Sequence, residues 1–205
     1  MNEQIVLLME KIGSLEAELE AEFAKSRAGL HFGLERGRVV FEEEILRRHR
    51  ELRTNLYQYI MNARPLVALT APVIYSLIIP LLLLDVSVAI YQAVCFPAFG
   101  IPKVRRGDYL VFDRGHLAYL NALEKLNCAY CSYANGLVAW VREVAARTER
   151  HWCPVKHARR VIGAHQYYGE FVDYGDADAY RRKLMERPQP SDVGGQQRPE
   201  GVAQH

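Results

Sequence analysis

The chain has 205 residues, of which 50% are hydrophobic and 24% are charged, and its formal net charge is +2. This balance is ordinary for a folded protein and predicts one domain with tails. So small a net charge does not support a nucleic-acid partner, and none is expected. No secretory leader is recognisable, so the four cysteines are expected to be thiols or metal ligands rather than disulfides.

Residues 1–64 are expected to form N-terminal amphipathic helices. Residues 3–27 carry apolar side chains at spacings of three and four, and these are Ile5, Leu8, Ile12, Leu15, Leu19 and Phe23. This narrow stripe predicts a helix that either packs on its own domain or forms a short coiled coil with a second copy of the chain or a protein partner. A second helix is predicted from Val39 to Met61, and Pro65 disfavours helical backbone in the residue before it.

Residues 66–101 carry a single charge, Asp85, and basic residues lie on both sides of them. A run this apolar is long enough to enter a bilayer. The basic flanks, which include Arg64 and Lys103, are typical of segments that face the cytoplasm. Residues 65–102 are therefore predicted to form a membrane-embedded helical hairpin with both termini in the cytoplasm.

Three membrane topologies are open to this run. A single crossing by residues 66–84 leaves Lys103 on the far side, against the positive-inside tendency. A hairpin with arms 66–84 and 86–101 puts Asp85 among the distal headgroups. A re-entrant wedge puts the same charge in hydrocarbon, at a cost of about 2.5–3.5 kcal/mol. The hairpin is favoured and its depth is left open; a buried hairpin in a soluble helical protein is the alternative.

Residues 103–186 are expected to form a small α-rich cytoplasmic module with one short β-strand, and the whole chain is therefore placed in the mainly α class. The strand is predicted from Asp108 to Asp113, between two glycines. The sequence also predicts a cysteine-bearing loop, Asn127–Gly136, and helices over His116–Leu126, Leu137–Glu149, Pro154–Arg160 and Ala177–Met185, the last with Asp176 as its N-cap. Residues 187–205 are rich in Pro, Gly and Gln and are predicted to be disordered.

The cysteines of this module suggest a metal site. Cys128 and Cys131 are two residues apart, and Cys153 precedes His157 by one helical turn. Four such ligands suit tetrahedral zinc, which would staple the module together if the intervening helix folds back. An iron–sulfur cluster or a redox thiol pair is the alternative, and plain packing or a disulfide is a further one. His151 and His116 are reserve ligands, and Cys95 is assigned to packing or lipidation.

Two segments carry a resemblance to a known family: Asn127-Cys-Ala-Tyr-Cys-Ser-Tyr-Ala-Asn-Gly136 and Trp152-Cys-Pro-Val-Lys-His-Ala-Arg-Arg160. They resemble the signature NCxYCxYxNG…WCPxKHARR of uncharacterised bacterial membrane-associated proteins, over Pro102–Arg182 and less surely over the apolar run. The resemblance implies a bacterial inner-membrane setting and brings no assigned activity.

These features predict a membrane-anchored, non-enzymatic scaffold or adaptor with a structural zinc site. The bilayer is expected to hold residues 66–101 and the flanking Arg and Lys side chains, while the N-terminal helix binds a second copy or a protein partner. The alternative is a membrane-associated redox or lipid-modifying enzyme. The sequence leaves open whether the chain is an enzyme at all.

Overall fold

The structure, a computed structural model, describes residues 3–28, 32–35, 38–41, 43–62 and 64–185. It is mainly helical, as predicted. The elements in chain order are α1 (Glu3–Ala28), β1 (Phe32–Glu35), β2 (Arg38–Phe41), α2 (Glu43–Glu51), α3 (Leu56–Met61), α4 (Pro65–Ser76), α5 (Ile78–Phe99), α6 (Ala122–Trp152) and α7 (Ala177–Met185). The tail predicted to be disordered, 187–205, lies outside the described residues.

The chain divides into two compact units. Unit 1 comprises residues 1–76 and 110–135, and unit 2 comprises residues 77–109 and 136–205. In unit 2 the core forms where α5, the segment after it and the second part of α6 meet, and its most buried side chains are Phe96, Val104, Leu137, Trp140, Val144 and Phe171.

In unit 1 the N-terminal helix is confirmed as α1, whereas the single helix predicted over residues 39–61 is wrong. Its first residues form β2, which pairs antiparallel with β1. The β-branched and aromatic run at the start of this segment suits a strand better than a helix. Asn55 starts α3 afresh, because its side chain accepts a hydrogen bond from the backbone N–H of Tyr57 at 3.0 Å.

The apolar run is continuous helix around its charge. Among the described residues, one helical stretch, Ala68–Phe99, is long and apolar enough to cross a membrane, with a mean hydropathy of 2.4. α5 runs through Asp85 without a turn, so the predicted hairpin with Asp85 at its tip does not form. Leu84-Asp85-Val86 contains neither Gly nor Pro to make so tight a turn. The helix ends instead at Gly100, whose left-handed backbone (φ 67°) closes it.

The predicted strand at Asp108–Asp113 is also wrong, because 3-10 turns cover Arg106–Asp108 and Asp113–His116. A strand needs a hydrogen-bonded neighbour, and within the described residues the sheet contains only β1 and β2. The helix predicted over 154–160 does not form. There Val155 forms a parallel bridge with Val172, and Lys156 N–H donates to the Val172 carbonyl at 2.8 Å.

Helix α6 joins two predicted helices and the loop predicted between them. It begins six residues later than His116, at Ala122, because Asn121 caps it with hydrogen bonds from the N–H groups of Leu123 and Glu124, both at 3.0 Å. The Asn-Gly turn signal at 135–136 does not break it. Asn135 donates to the carbonyl of Cys131, one turn back, at 2.9 Å. The C-terminal helix Ala177–Met185 is confirmed, with Asp176 accepting a hydrogen bond from Ala179 N–H.

Candidate functional site

Helix α5 has its polar and apolar sides reversed relative to a helix of a soluble protein. Its buried residues are Asp85, Gln92 and Phe96, which recur at helical spacing along one side. On the opposite side, the apolar residues Ile79, Leu83, Ile90 and Val94 are 60–65% exposed. Soluble helices bury their apolar stripe. The α5 pattern is the one expected of a helix whose outer side faces lipid.

Asp85 is held by a cation from outside the helix. Arg106 Nη2 donates to Asp85 Oδ2, and the two side chains are 49% and 12% exposed. A carboxylate in an apolar run is tolerated when it pairs and faces protein rather than lipid. This pairing removes the reason for placing Asp85 at the far end of a hairpin, because the charge is compensated where it stands.

The Gln92 side chain joins α5 to the segment that follows the helix. Its Oε1 accepts the Val104 N–H at 2.8 Å, and its Nε2 donates to the Val104 carbonyl at 3.2 Å. Trp140 Nε1 donates to the same carbonyl at 3.5 Å. A sequence signal for this side existed, since Asp85 and Gln92 are seven residues apart and so share a helix face.

Glu143 on α6 is a buried carboxylate that accepts hydrogen bonds from several side chains of unit 2. Arg147 Nε donates to Glu143 Oε1 at 2.8 Å, and the Tyr167 hydroxyl donates to the same oxygen at 2.7 Å. Burial and then the hydrogen bond to Glu143 raise the pKa of Tyr167, and burial followed by the Glu143 charge raises the pKa of Tyr109. Burial by itself lowers the pKa of Arg147, but its hydrogen bond to Glu143 and the nearby charges of Tyr167 and Glu143 together outweigh burial, so the pKa is raised.

The Glu143 cluster has a structural role, because its hydrogen bonds join α6 to two other segments of unit 2. The raised pKa of Tyr167 keeps its phenol a neutral donor. The cluster fastens the segment around Tyr167 to α6, and the Arg147 Nη1 donates to the Pro102 carbonyl at 2.8 Å to fasten the segment after α5.

His165 and Glu149 form a hydrogen-bonded pair in unit 2. The His165 Nε2 lies 3.0 Å from Glu149 Oε2, and its Nδ1 accepts the Tyr167 N–H at 3.2 Å. With Nδ1 accepting, the neutral ring donates from Nε2. Both nitrogens are thus engaged, so the ring positions the chain rather than activating a nucleophile.

The four predicted zinc ligands lie on different local structures. Cys128 and Cys131 are one turn apart on α6, Cys153 directly follows its last residue, and His157 lies in the extended segment beyond. The loop predicted to carry Cys128 and Cys131 is part of helix α6. Within the described residues no three His, Cys, Asp or Glu side chains gather where they could hold a metal ion. The zinc site stays a prediction that the described residues do not assemble.

The exposure of the thiols differs. Cys131 and Cys153 are exposed, and Cys95 and Cys128 are half-buried; all four are free thiols. Exposed thiols are the ones open to alkylating reagents.

Comparison with known proteins adds no assignment: no protein-family model, no curated protein and no solved structure matches this chain.

Proposed function

We propose that this chain is a membrane-anchored, non-enzymatic scaffold that lays the exposed apolar side of α5 into one leaflet and holds unit 2 at the membrane surface. The observation that carries the proposal is the reversal of α5, with Asp85 and Gln92 inward and the apolar residues outward. An apolar surface of this extent on a soluble protein usually marks a membrane or protein interaction site.

The contacts of α5 favour one-sided embedding over a crossing. The Tyr91 hydroxyl on its covered side hydrogen-bonds Thr148 at 3.0 Å, and Thr148 lies one residue beyond the cation Arg147. Lipid cannot surround a helix that has such a polar neighbour along one side. The covered side of α5 therefore packs on α6 rather than on lipid, and this one-sided exposure favours the wedge topology over the hairpin.

The basic residues after α5 add an electrostatic contribution. Lys103 and Arg105 are exposed, the Arg105 side chain by 80%. Each basic residue close to anionic headgroups contributes about 1 kcal/mol to binding. This favours the cytoplasmic leaflet of a bacterial inner membrane, with both termini in the cytoplasm.

The scaffold role rests on α1. Its predicted stripe, including Ile12, Leu15 and Leu19, is more than half exposed, so these side chains do not pack into a core of the described residues. A stripe at spacings of three and four is suited to a second copy of the chain. Sedimentation of the full chain in detergent should give a dimer, and Leu15→Asp with Leu19→Asp should give a monomer; a wild-type monomer would exclude this role.

Flotation with lipid vesicles tests the anchor. Leu83→Lys and Ile90→Lys remove apolar side chains from the exposed side of α5 and should each lower vesicle partitioning about tenfold or more. Met185→Lys is the matched control, since that side chain is 84% exposed at the end of α7. Equal partitioning of all three variants would refute the anchor.

Cysteine labelling tests the topology. In a cysteine-free background, Leu66→Cys and Lys103→Cys flank the apolar helix, and both positions are exposed. In sealed membrane vesicles of one orientation, an impermeant maleimide should react with both or with neither if α5 is embedded from one side. Reaction of only one site would demonstrate a crossing.

Elemental analysis with a visible spectrum decides between the scaffold and the redox alternative. About one zinc per colourless chain supports the predicted structural site. Iron with visible absorbance would favour the alternative redox enzyme. In the zinc case Cys128→Ser should increase the protease sensitivity of residues 110–165.

A further inference from the structure

Unit 1 contains a cavity of about 750 Å³. Its walls come from the chain around α3, from α4 and from the first part of α6. Small-molecule pockets in proteins occupy about 300–1,000 Å³, so this cavity has room for a ligand of that size. The apolar part of its lining consists of Ile60, Ala68, Ala71, Ile74 and Leu123.

Hydrogen bonds and ring packing hold one wall of the cavity in place. The Tyr130 hydroxyl on α6 donates to the Ile74 carbonyl at 2.8 Å, and the Tyr75 hydroxyl donates to Asn127. The rings of Tyr75 and Tyr130 meet edge to face with centroids 5.7 Å apart. These contacts hold α4 against the first part of α6. A ligand would therefore meet a wall that is already formed.

The charge of the lining is one-sided. Arg64 contributes an exposed guanidinium, and among the described residues no Asp or Glu lines the cavity. Asn62 and Tyr59 add neutral polar groups to the same lining. An apolar cavity with one cation is complementary to a molecule that has an apolar body and an anionic head.

We infer that this cavity binds a single-chain anionic amphiphile, with the acyl chain against Ala71 and Ile74 and a carboxylate or phosphate head on Arg64. Part of the lining, including Ala71 and Ile74, belongs to α4, which is the first part of the apolar run. The inference goes beyond the proposed function, because a chain can dock on a membrane without holding a lipid monomer.

Cys131 makes the cavity measurable, because it is an exposed free thiol that lines the wall. Cys153, also exposed, lines a separate groove of unit 2 and reports on binding there. The experiment follows alkylation of each thiol by N-ethylmaleimide in the full chain, in detergent micelles without a bilayer. Oleate, oleoyl lysophosphatidate and uncharged monoolein are titrated as mole fractions of the micelle.

The expected result is that an anionic amphiphile slows alkylation of Cys131 about tenfold at saturation and leaves Cys153 unchanged. Whichever of oleate and lysophosphatidate protects at the lower mole fraction identifies the head group. Protection by monoolein should need about tenfold more, since it lacks the charge that pairs with Arg64. Protection of Cys153 alone, or of neither thiol, would overturn the assignment.

Two pairs of variants test the residues. Arg64→Gln should raise the oleate requirement about tenfold, whereas Arg53→Gln, an exposed arginine outside the lining, should not. Ala71→Trp fills the cavity and should abolish protection, whereas Ala89→Trp adds the same bulk to an exposed site on α5. If circular dichroism shows that Ala71→Trp unfolds, the arginine pair still decides. Equal behaviour of the two arginine variants would refute the role of Arg64.

Because the assay uses no bilayer, it is independent of the flotation test. Loss of vesicle binding with intact Cys131 protection would refute the anchor alone. Intact vesicle binding without Cys131 protection would refute the lipid site alone.

Discussion

Replacing Arg106 with methionine should destabilise unit 2 more than replacing Asp85 with leucine. The Arg106→Met change removes the cation and keeps a carboxylate whose side chain is only 12% exposed. The Asp85→Leu change removes the buried charge itself and leaves Arg106, which is 49% exposed and well hydrated. Leaving a buried charge without its counter-ion is costly, whereas an apolar replacement of the buried member is often close to neutral.

The magnitude follows from the two exposures. Removing one partner of a fully buried pair costs about 3–5 kcal/mol, and an exposed pair is worth about 0–1 kcal/mol. Asp85 is buried and Arg106 half-exposed, so about 2 kcal/mol is expected for Arg106→Met and under 1 kcal/mol for Asp85→Leu. In a chain of this length 1 kcal/mol shifts Tm by about 2–4 °C, so Arg106→Met should lower Tm by about 4–8 °C.

Thermal unfolding by circular dichroism in detergent measures both variants and their combination. Arg105→Met is the matched control. The Arg105 side chain is 80% exposed, and its Nε lies 3.8 Å from Oδ1 of the exposed Asp108. In the double variant, much of the fall in Tm caused by Arg106→Met should disappear, because the Asp85 carboxylate that Arg106 pairs with is no longer present. If Arg106→Met costs no more than Arg105→Met, the account of a compensated buried charge is wrong.

Three further outcomes are expected. Gln92→Met removes both hydrogen bonds to Val104 at similar side-chain volume and should cost about 1–3 kcal/mol in the free energy of unfolding, read from thermal melts. The raised pKa of Tyr167 contributes stability that is present below its unfolded value of about 10 and is lost as pH rises through the folded value. Tyr167→Phe should therefore flatten the fall of Tm above about pH 10. If the dependence of Tm on alkaline pH is unchanged in this variant, the Tyr167 hydroxyl and its hydrogen bond to Glu143 are not the cause of the fall. Asn121→Ala should cost about 1 kcal/mol and speed amide hydrogen exchange in the first turn of α6; unaltered exchange there would show that the cap is unimportant.

Local sequence signals predicted the elements that depend on local interactions. The three- and four-residue spacing of Ile12, Leu15 and Leu19 was enough for α1, and Asp176 marked the start of α7. Such signals fail where a segment's partner lies elsewhere in the chain. Val155 is extended because Val172 offers it a bridge, although Pro154 is a good first residue for a helix.

The candidate sites show the same division. Arg64 and the apolar residues of α4 are visible in the sequence, but the cavity also needs a wall from α6, whose Tyr130 hydroxyl donates to the Ile74 carbonyl. The sequence pointed to Cys128 and Cys131 as ligands on a loop. The structure has them on a continuous helix, where they share no described group of three or more ligands.

The sequence by itself determined that the chain is mainly helical and that residues 66–101 are apolar enough to enter a bilayer. Both follow from composition and from periodicity along the chain. Only the tertiary structure decided what covers the polar side of α5 and how its charge is compensated. Asp85 meets Arg106 across twenty-one residues of sequence, and Gln92 meets Val104 across twelve. Those contacts depend on where the chain returns after Gly100, and no periodicity within the helix encodes that return.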